Sequence, residues 1–237
     1  GILEILEQFF TKRKSPEDLV HDGILKEDPT VPKPGEGTGC YFNRFLRDVP
    51  KQDNIPCMVV ICCQHLENNG LQEEGLFRVP GSSEEIKAIS SSFESSGDCD
   101  LNAQQYEISS VAGVLKLYFR CMPEPLFTFD HYSSFIAAAR DYGSDEPQLL
   151  RALTAILIAM PRDNCDLILY LLRFLKKCST FYEQNKMTVD NLAMVFAPNV
   201  LRPETETLQQ IMEDSNNIKV VLRTLINNAE QVSLAVQ

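Results

Sequence analysis

A chain of 237 residues, 44 % of them hydrophobic, is long enough for one substantial core and has the composition of an ordinary globular domain. Its formal net charge of −11 argues against nucleic acid as the main partner, because binding a phosphate backbone needs a concentrated positive face. The strongest apolar runs, residues 58–63 and 167–172, are too short to cross a bilayer, so no direct membrane insertion is expected.

In chain order, helical periodicity dominates and no convincing run of alternating strand residues appears. Residue 1 is Gly, and no signal-peptide layout follows, so the chain is expected to be a fragment of a longer protein. Ile2, Leu3, Leu6, Phe9 and Phe10 predict a first amphipathic helix, and Ser15-Pro16 has the layout of a second helix start. Residues 28–39 form a Pro/Gly-rich linker, so residues 1–40 are expected to be an extension and residues 41–237 the main domain. Helices are predicted over 54–69, ending at Gly70, and over a segment beginning at Ser82, where Ser82 and Glu85 make a capping-box pair. Ile86, Ile89 and Phe93 give that segment one apolar face. Further helices are predicted over 109–122, 129–141, 146–160, 163–182, 188–196 and 207–229, with Pro123 stopping the first of these and Pro198-Asn199 ending the 188–196 helix. The 163–182 segment is apolar nearly all round, the mark of a central buried helix. The expected architecture is all-α, a single bundle domain of about nine helices.

Eight cysteines lack paired C-x-x-C spacing and the three histidines are scattered, a pattern that predicts neither a zinc site nor a disulfide framework. A reducing, cytoplasmic setting fits, with several thiols packing as small hydrophobes. The 35–39 stretch, Gly-Glu-Gly-Thr-Gly, lacks the Lys-Ser/Thr of a phosphate loop and reads as linker. Asp141, Asp145 and Glu146 lack calcium-loop spacing and read as an interhelical loop.

Arg78 is the most informative residue. Leu76 and Phe77 before it can anchor a loop; Val79, Pro80 and Gly81 after it stiffen and turn the backbone into the helix begun at Ser82. A guanidinium held this way is presented rather than buried, and its planar donors suit phosphate oxygens. Lys116 and Arg120 are four residues apart on one helix face, with no acidic residue between 108 and 123 to offset them, so opposing charge comes from solvent, the rest of the fold or a partner. Asn191 falls near the start of a helix that Thr188 is placed to cap, and a local hydrogen bond is its ordinary role.

Three blocks, EEGLFRVPGS at 73–82, VAGVLKLYFRCMPEPL at 111–126 and KMTVDNLAMVFAPNVL at 186–201, resemble in order and spacing the GTPase-activating domain of Rho-family regulators, the RhoGAP domain. The likeness runs from about Tyr41 to about Leu225. It implies a helical bundle and a Rho, Rac or Cdc42-type small GTPase as partner. In that reading Arg78 is an arginine finger supplied in trans, Lys116 and Arg120 brace its loop and contact the GTPase, and Asn191, Pro198 and Asn199 lie at the partner surface. The domain would need no cofactor of its own, GTP and Mg²⁺ belonging to the GTPase, and would have no self-contained catalytic site. The alternative is a GTPase-binding module with little or no activating effect. Asn43, Pro80 and Ala197 depart from the family's usual glycine, serine and glycine, and Ala197 is expected to add a methyl near the interface.

Overall fold

The structure is a computed structural model and describes residues 39–205 and 207–236; the expected helices and linker before residue 39 lie outside the described residues. The chain enters through Tyr41 and Phe42, whose backbone N–H groups both donate to Oε1 of Glu94 at 2.7 and 2.9 Å. Asn43 has φ +55°, a left-handed backbone that asparagine tolerates better than most residues, which accounts for its standing where glycine is common.

A feature absent from the helical pattern follows. Lys51–Gln52 (β1) pairs antiparallel with Ile55–Pro56 (β2). Asp53 and Asn54 between them both have positive φ, +50° and +66°, the conformation of a two-residue hairpin loop whose twist matches the flanking strands. The first helix therefore starts three residues later than its periodicity suggests, as Cys57–Asn69 (α1).

Nine more helices complete the described domain: Ser83–Ser96 (α2), Ile108–Arg120 (α3), Phe129–Tyr142 (α4), Glu146–Ala159 (α5), Arg162–Thr180 (α6), Tyr182–Asn185 (α7), Val189–Val200 (α8), Leu208–Asn227 (α9) and Ala229–Val236 (α10). The all-α bundle is thus as expected, with the 207–229 segment ending sooner and a separate last helix after it. Local chemistry sets the boundaries. Asp145 caps α5 by accepting from the Gln148 N–H at 3.0 Å, with Pro147 in the first turn, so that acidic stretch is a helix start. Thr188 caps α8 through the Asn191 N–H at 3.3 Å.

The α6 helix runs through the centre and touches α8, α9 and α10. It buries Leu167, Ile168, Leu171, Leu172, Phe174 and Leu175, and the apolar character read from the sequence is right for that side. Arg162, Asp166, Arg173 and Lys177 fall on the opposite side as one polar stripe, with Arg162 and Asp166 paired at 2.9 Å, so the helix is not buried all round. Five cysteines, Cys62, Cys63, Cys99, Cys165 and Cys178, are buried among apolar neighbours, and desolvation pushes each thiol up.

A proline also sits inside α8. Pro198 does not end the helix, which continues to Val200. Proline removes an N–H from the ladder, and the loop before α4 supports the end beyond it: the Phe127 N–H donates to the Val200 carbonyl at 3.0 Å.

Candidate functional site

The arginine loop is built from its backbone outward. Gly75 has φ +75°, and a Cβ there would lie 2.6 Å from Cγ2 of Val79, so the turn closes only around a glycine. Its carbonyl accepts from both the Arg78 and Val79 N–H groups, at 2.7 and 2.9 Å, while its own N–H donates to the Asn185 carbonyl at 2.7 Å. Phe77 takes φ +70°, a conformation that costs a bulky residue about 1–2 kcal/mol. What holds it there is packing: Phe77 is 1 % exposed, and its ring stands edge-on to Phe196 at 4.8 Å and to Phe174 at 6.0 Å. With the Phe77 ring sunk into the core and its backbone turned left-handed, the next side chain, Arg78, is thrown to the surface. It is exposed, and its guanidinium has no hydrogen-bond or ion-pair partner among the described residues.

The loop leaves through Gly81, which lies against the first turn of α3. A Cβ at Gly81 would fall 2.4 Å from the Ser110 Cα, a contact no side-chain motion relieves. The Ser82 N–H donates to Oγ of Ser110 at 3.0 Å, and Ser82 Oγ accepts from the Glu85 N–H at 3.5 Å. The capping box is therefore half formed, for Glu85 reaches instead to the Glu107 N–H at 3.1 Å. Both contacts tie the start of α2 to the start of α3.

Lys116 comes from the second turn of α3 beyond that contact, and Nζ donates to the Phe77 carbonyl. The fold itself thus offers Lys116 an oxygen that the local sequence does not. Arg120 lies one turn further along the same face and is exposed. The Asn191 side chain donates from Nδ2 to the Lys186 carbonyl at 3.0 Å, bracing the entry of α8, and its Oδ1 takes no hydrogen bond from a described residue. Pro198 is half-buried on the same side of α8 as Asn191.

Two expectations are corrected. Asn199 is buried, and its amide is spent on the Val195 carbonyl at 2.8 Å, so it shapes the end of α8 rather than presenting itself to a partner. Ala197 is 2 % exposed, so its methyl enters the core and does not crowd an interface. Two residues escaped the sequence reading. Met194, 58 % exposed, stands between Asn191 and Pro198 on the outer face of α8; an apolar residue at i+3 from Asn191 was the available signal. Asn185 supplies the carbonyl that receives Gly75, and nothing in its sequence setting marks it.

The arrangement has one exposed guanidinium on a hydrogen-bonded turn, an ammonium bound to the peptide before it, a second exposed guanidinium one turn further along α3 and an amide at a helix start. It can dock on anionic oxygens and on a polar surface. Among the described residues no group of His, Cys, Asp and Glu could hold a metal ion, and no helix is long and apolar enough to cross a membrane.

Comparison with known proteins bears on the fold and the family. Mouse beta-chimaerin is 36 % identical over 177 residues, spanning 74 % of this chain and 53 % of that protein. The chain thus spans only about half the length of that curated relative. Among solved structures, the BH domain from Graf, the GTPase regulator associated with focal adhesion kinase, superposes with a TM-score of 0.67 at 28 % identity, over 74 % of this chain and 92 % of that one. Human Rho GTPase activating protein 15 superposes with a TM-score of 0.76 over 93 % of this chain and 99 % of that one; at 24 % identity the likeness bears on the fold alone. Residues 56–205, which hold the arginine turn, α3 and all of α8, match the family model of the RhoGAP domain, and the chain belongs to that family.

Proposed function

We propose that this domain accelerates GTP hydrolysis by a Rho-family small GTPase of the Rho, Rac or Cdc42 type, with Arg78 supplied in trans. The observation that carries the reading is the Arg78 turn: a left-handed phenylalanine anchored in the core and braced by Lys116, with the following guanidinium exposed. A buried arginine would be ion-paired. An arginine on a mobile loop would have to be ordered on binding, at an entropic cost. Here the donor is already placed.

Arg78 enters the partner's nucleotide pocket and neutralises the charge that develops on the β- and γ-phosphate oxygens in the transition state. GTP and Mg²⁺ are the GTPase's own. The Arg78 carbonyl helps to place the glutamine that orients the attacking water, and Lys116 holds the preceding peptide so that this carbonyl and the guanidinium keep one relative orientation. Arg120, Asn191 and Pro198 supply contact around the finger. For Ras activators an arginine in trans is worth about 10³–10⁵ in rate, equivalent to roughly 4–7 kcal/mol of barrier.

The test is single-turnover GTP hydrolysis by purified Rho, Rac and Cdc42 GTPases with this domain or its Arg78→Ala variant. Arg78→Ala is expected to lose orders of magnitude in rate while keeping thermal stability and most of its affinity for the GTP-loaded partner. Arg78→Lys also fails, because an ammonium lacks the forked donors. Near-normal stimulation by Arg78→Ala would overturn the assignment. Binding without stimulation by the parent domain would leave a GTPase-binding module.

A further inference from the structure

We propose that Asn185 is a positioning residue for Arg78, holding the arginine turn against the entry of α8; the inference rests on the arginine-finger reading above. Asn185 is fully buried at the end of the short α7 helix, and its polar groups are shared among three segments. Nδ2 donates to the Leu71 carbonyl at 2.8 Å and to the Cys178 carbonyl at 2.9 Å. Oδ1 accepts from the Met187 N–H at 2.7 Å. Its main-chain carbonyl accepts from the Gly75 N–H at 2.7 Å.

A side-chain amide is the group of this size with two donors and an acceptor in one plane, and here all three are used. The consequence is geometric. Asn185 grips the approach to the turn at Leu71 through its side chain and the turn itself at Gly75 through its backbone. Gly75 is the residue whose carbonyl holds the Arg78 and Val79 amides. The grip is anchored at the end of α6 through Cys178 and at the entry of α8 through Met187. Without the amide, the Leu71 carbonyl and the Met187 N–H lose the partner shown for them, the Cys178 carbonyl keeps only the Phe181 N–H at 3.2 Å, and Leu71 and the turn after it can move relative to α8. Arg78 would stay exposed yet point differently, and a displacement of about 1 Å at a reacting group costs about 100-fold in rate.

The experiment uses the whole chain with Asn185→Ala and the milder Asn185→Ser, each alone and combined with Arg78→Ala. Thermal unfolding first establishes that each variant is folded. Affinity is then measured for a Rho-family GTPase loaded with GDP and aluminium fluoride, which mimics the transition state, and for the same GTPase loaded with a non-hydrolysable GTP analogue. Asn185→Ala is expected to weaken the transition-state complex by about 10- to 100-fold, and the ground-state complex by less than about threefold. In the Arg78→Ala background the same substitution should cost less than about threefold, since the group it aims is gone. A folded Asn185→Ala chain with unchanged transition-state affinity overturns the proposal. So does an equal loss in both backgrounds, which marks a purely structural asparagine. Should Asn185→Ala not fold, Asn185→Ser carries the same cycle, and hydrogen exchange at the Arg78 and Val79 amides reads the turn directly. Faster exchange is expected, and unchanged protection overturns the inference. An Arg78→Ala chain that binds the transition-state form as the parent does overturns the arginine-finger reading, and this inference with it.

Discussion

Replacing Lys116 by Met is the most exacting test of how the turn works, because it removes one charged donor and keeps an unbranched side chain of similar length. The ammonium's hydrogen bond to the Phe77 carbonyl crosses 39 residues of sequence and joins α3 to the arginine turn. A hydrogen bond from a charged donor is worth about 1.5–3 kcal/mol. Lys116 is only partly buried, so water can replace part of that, and the lower end, about 1.5–2 kcal/mol, is the fitting value. If the bond serves mainly to orient the Phe77–Arg78 peptide, its loss appears in the barrier, as a rate about 10- to 30-fold lower. The core contacts of Phe77 with Phe174 and Phe196 remain, so the loss of stability is confined to that bond and the melting temperature should fall by about 3–8 °C, on the scale of about 2–4 °C per kcal/mol for a domain of this size. Lys116→Arg keeps a donor and should retain more activity than Lys116→Met. Single-turnover hydrolysis at saturating domain, beside thermal unfolding, measures both quantities. A Lys116→Met rate within twofold of the parent, while Arg78→Ala collapses, would refute the bracing role.

Two further outcomes follow from packing. Gly81→Ala puts a methyl against the Ser110 backbone and should cost about 1–3 kcal/mol, with a lower GTP hydrolysis rate as the turn lifts from α3; chemical denaturation and the same turnover assay read the two effects, and a fully stable, fully active variant would show that the contact is soft. Tyr118 is 1 % exposed and its hydroxyl has no hydrogen-bond partner among the described residues, so Tyr118→Phe should be neutral or stabilise by up to about 1 kcal/mol. A loss of more than 1 kcal/mol in denaturant unfolding would mean that the hydroxyl has a partner.

Much of the site was legible because its chemistry is local. The apolar pair before Arg78, the Ser82 cap and the Lys116/Arg120 spacing each depend on residues within a turn or two of one another, and the structure bears out the exposed arginine, the cap and the shared helix face. The hairpin at Asp53-Asn54 was hidden because two strands of two residues carry no period. The α8 helix overran its expected end because support for the chain beyond Pro198 comes from Phe127, far away in sequence. The family resemblance puts Asn199 at the interface and Ala197 near it, yet both are buried once α8 packs on the rest of the bundle.

By itself the sequence determined the all-α class, most helix boundaries and the family, since periodicity, caps and contiguous motifs are properties of neighbouring residues. Only the tertiary structure decided how those pieces act together. It set which carbonyl Lys116 reaches and which carbonyls and N–H group the Asn185 side chain gathers, and it put Phe77 in a left-handed backbone that turns Arg78 to the surface. Each of these rests on contacts between segments tens of residues apart, and a backbone conformation that costs energy locally persists only where such contacts over-determine it.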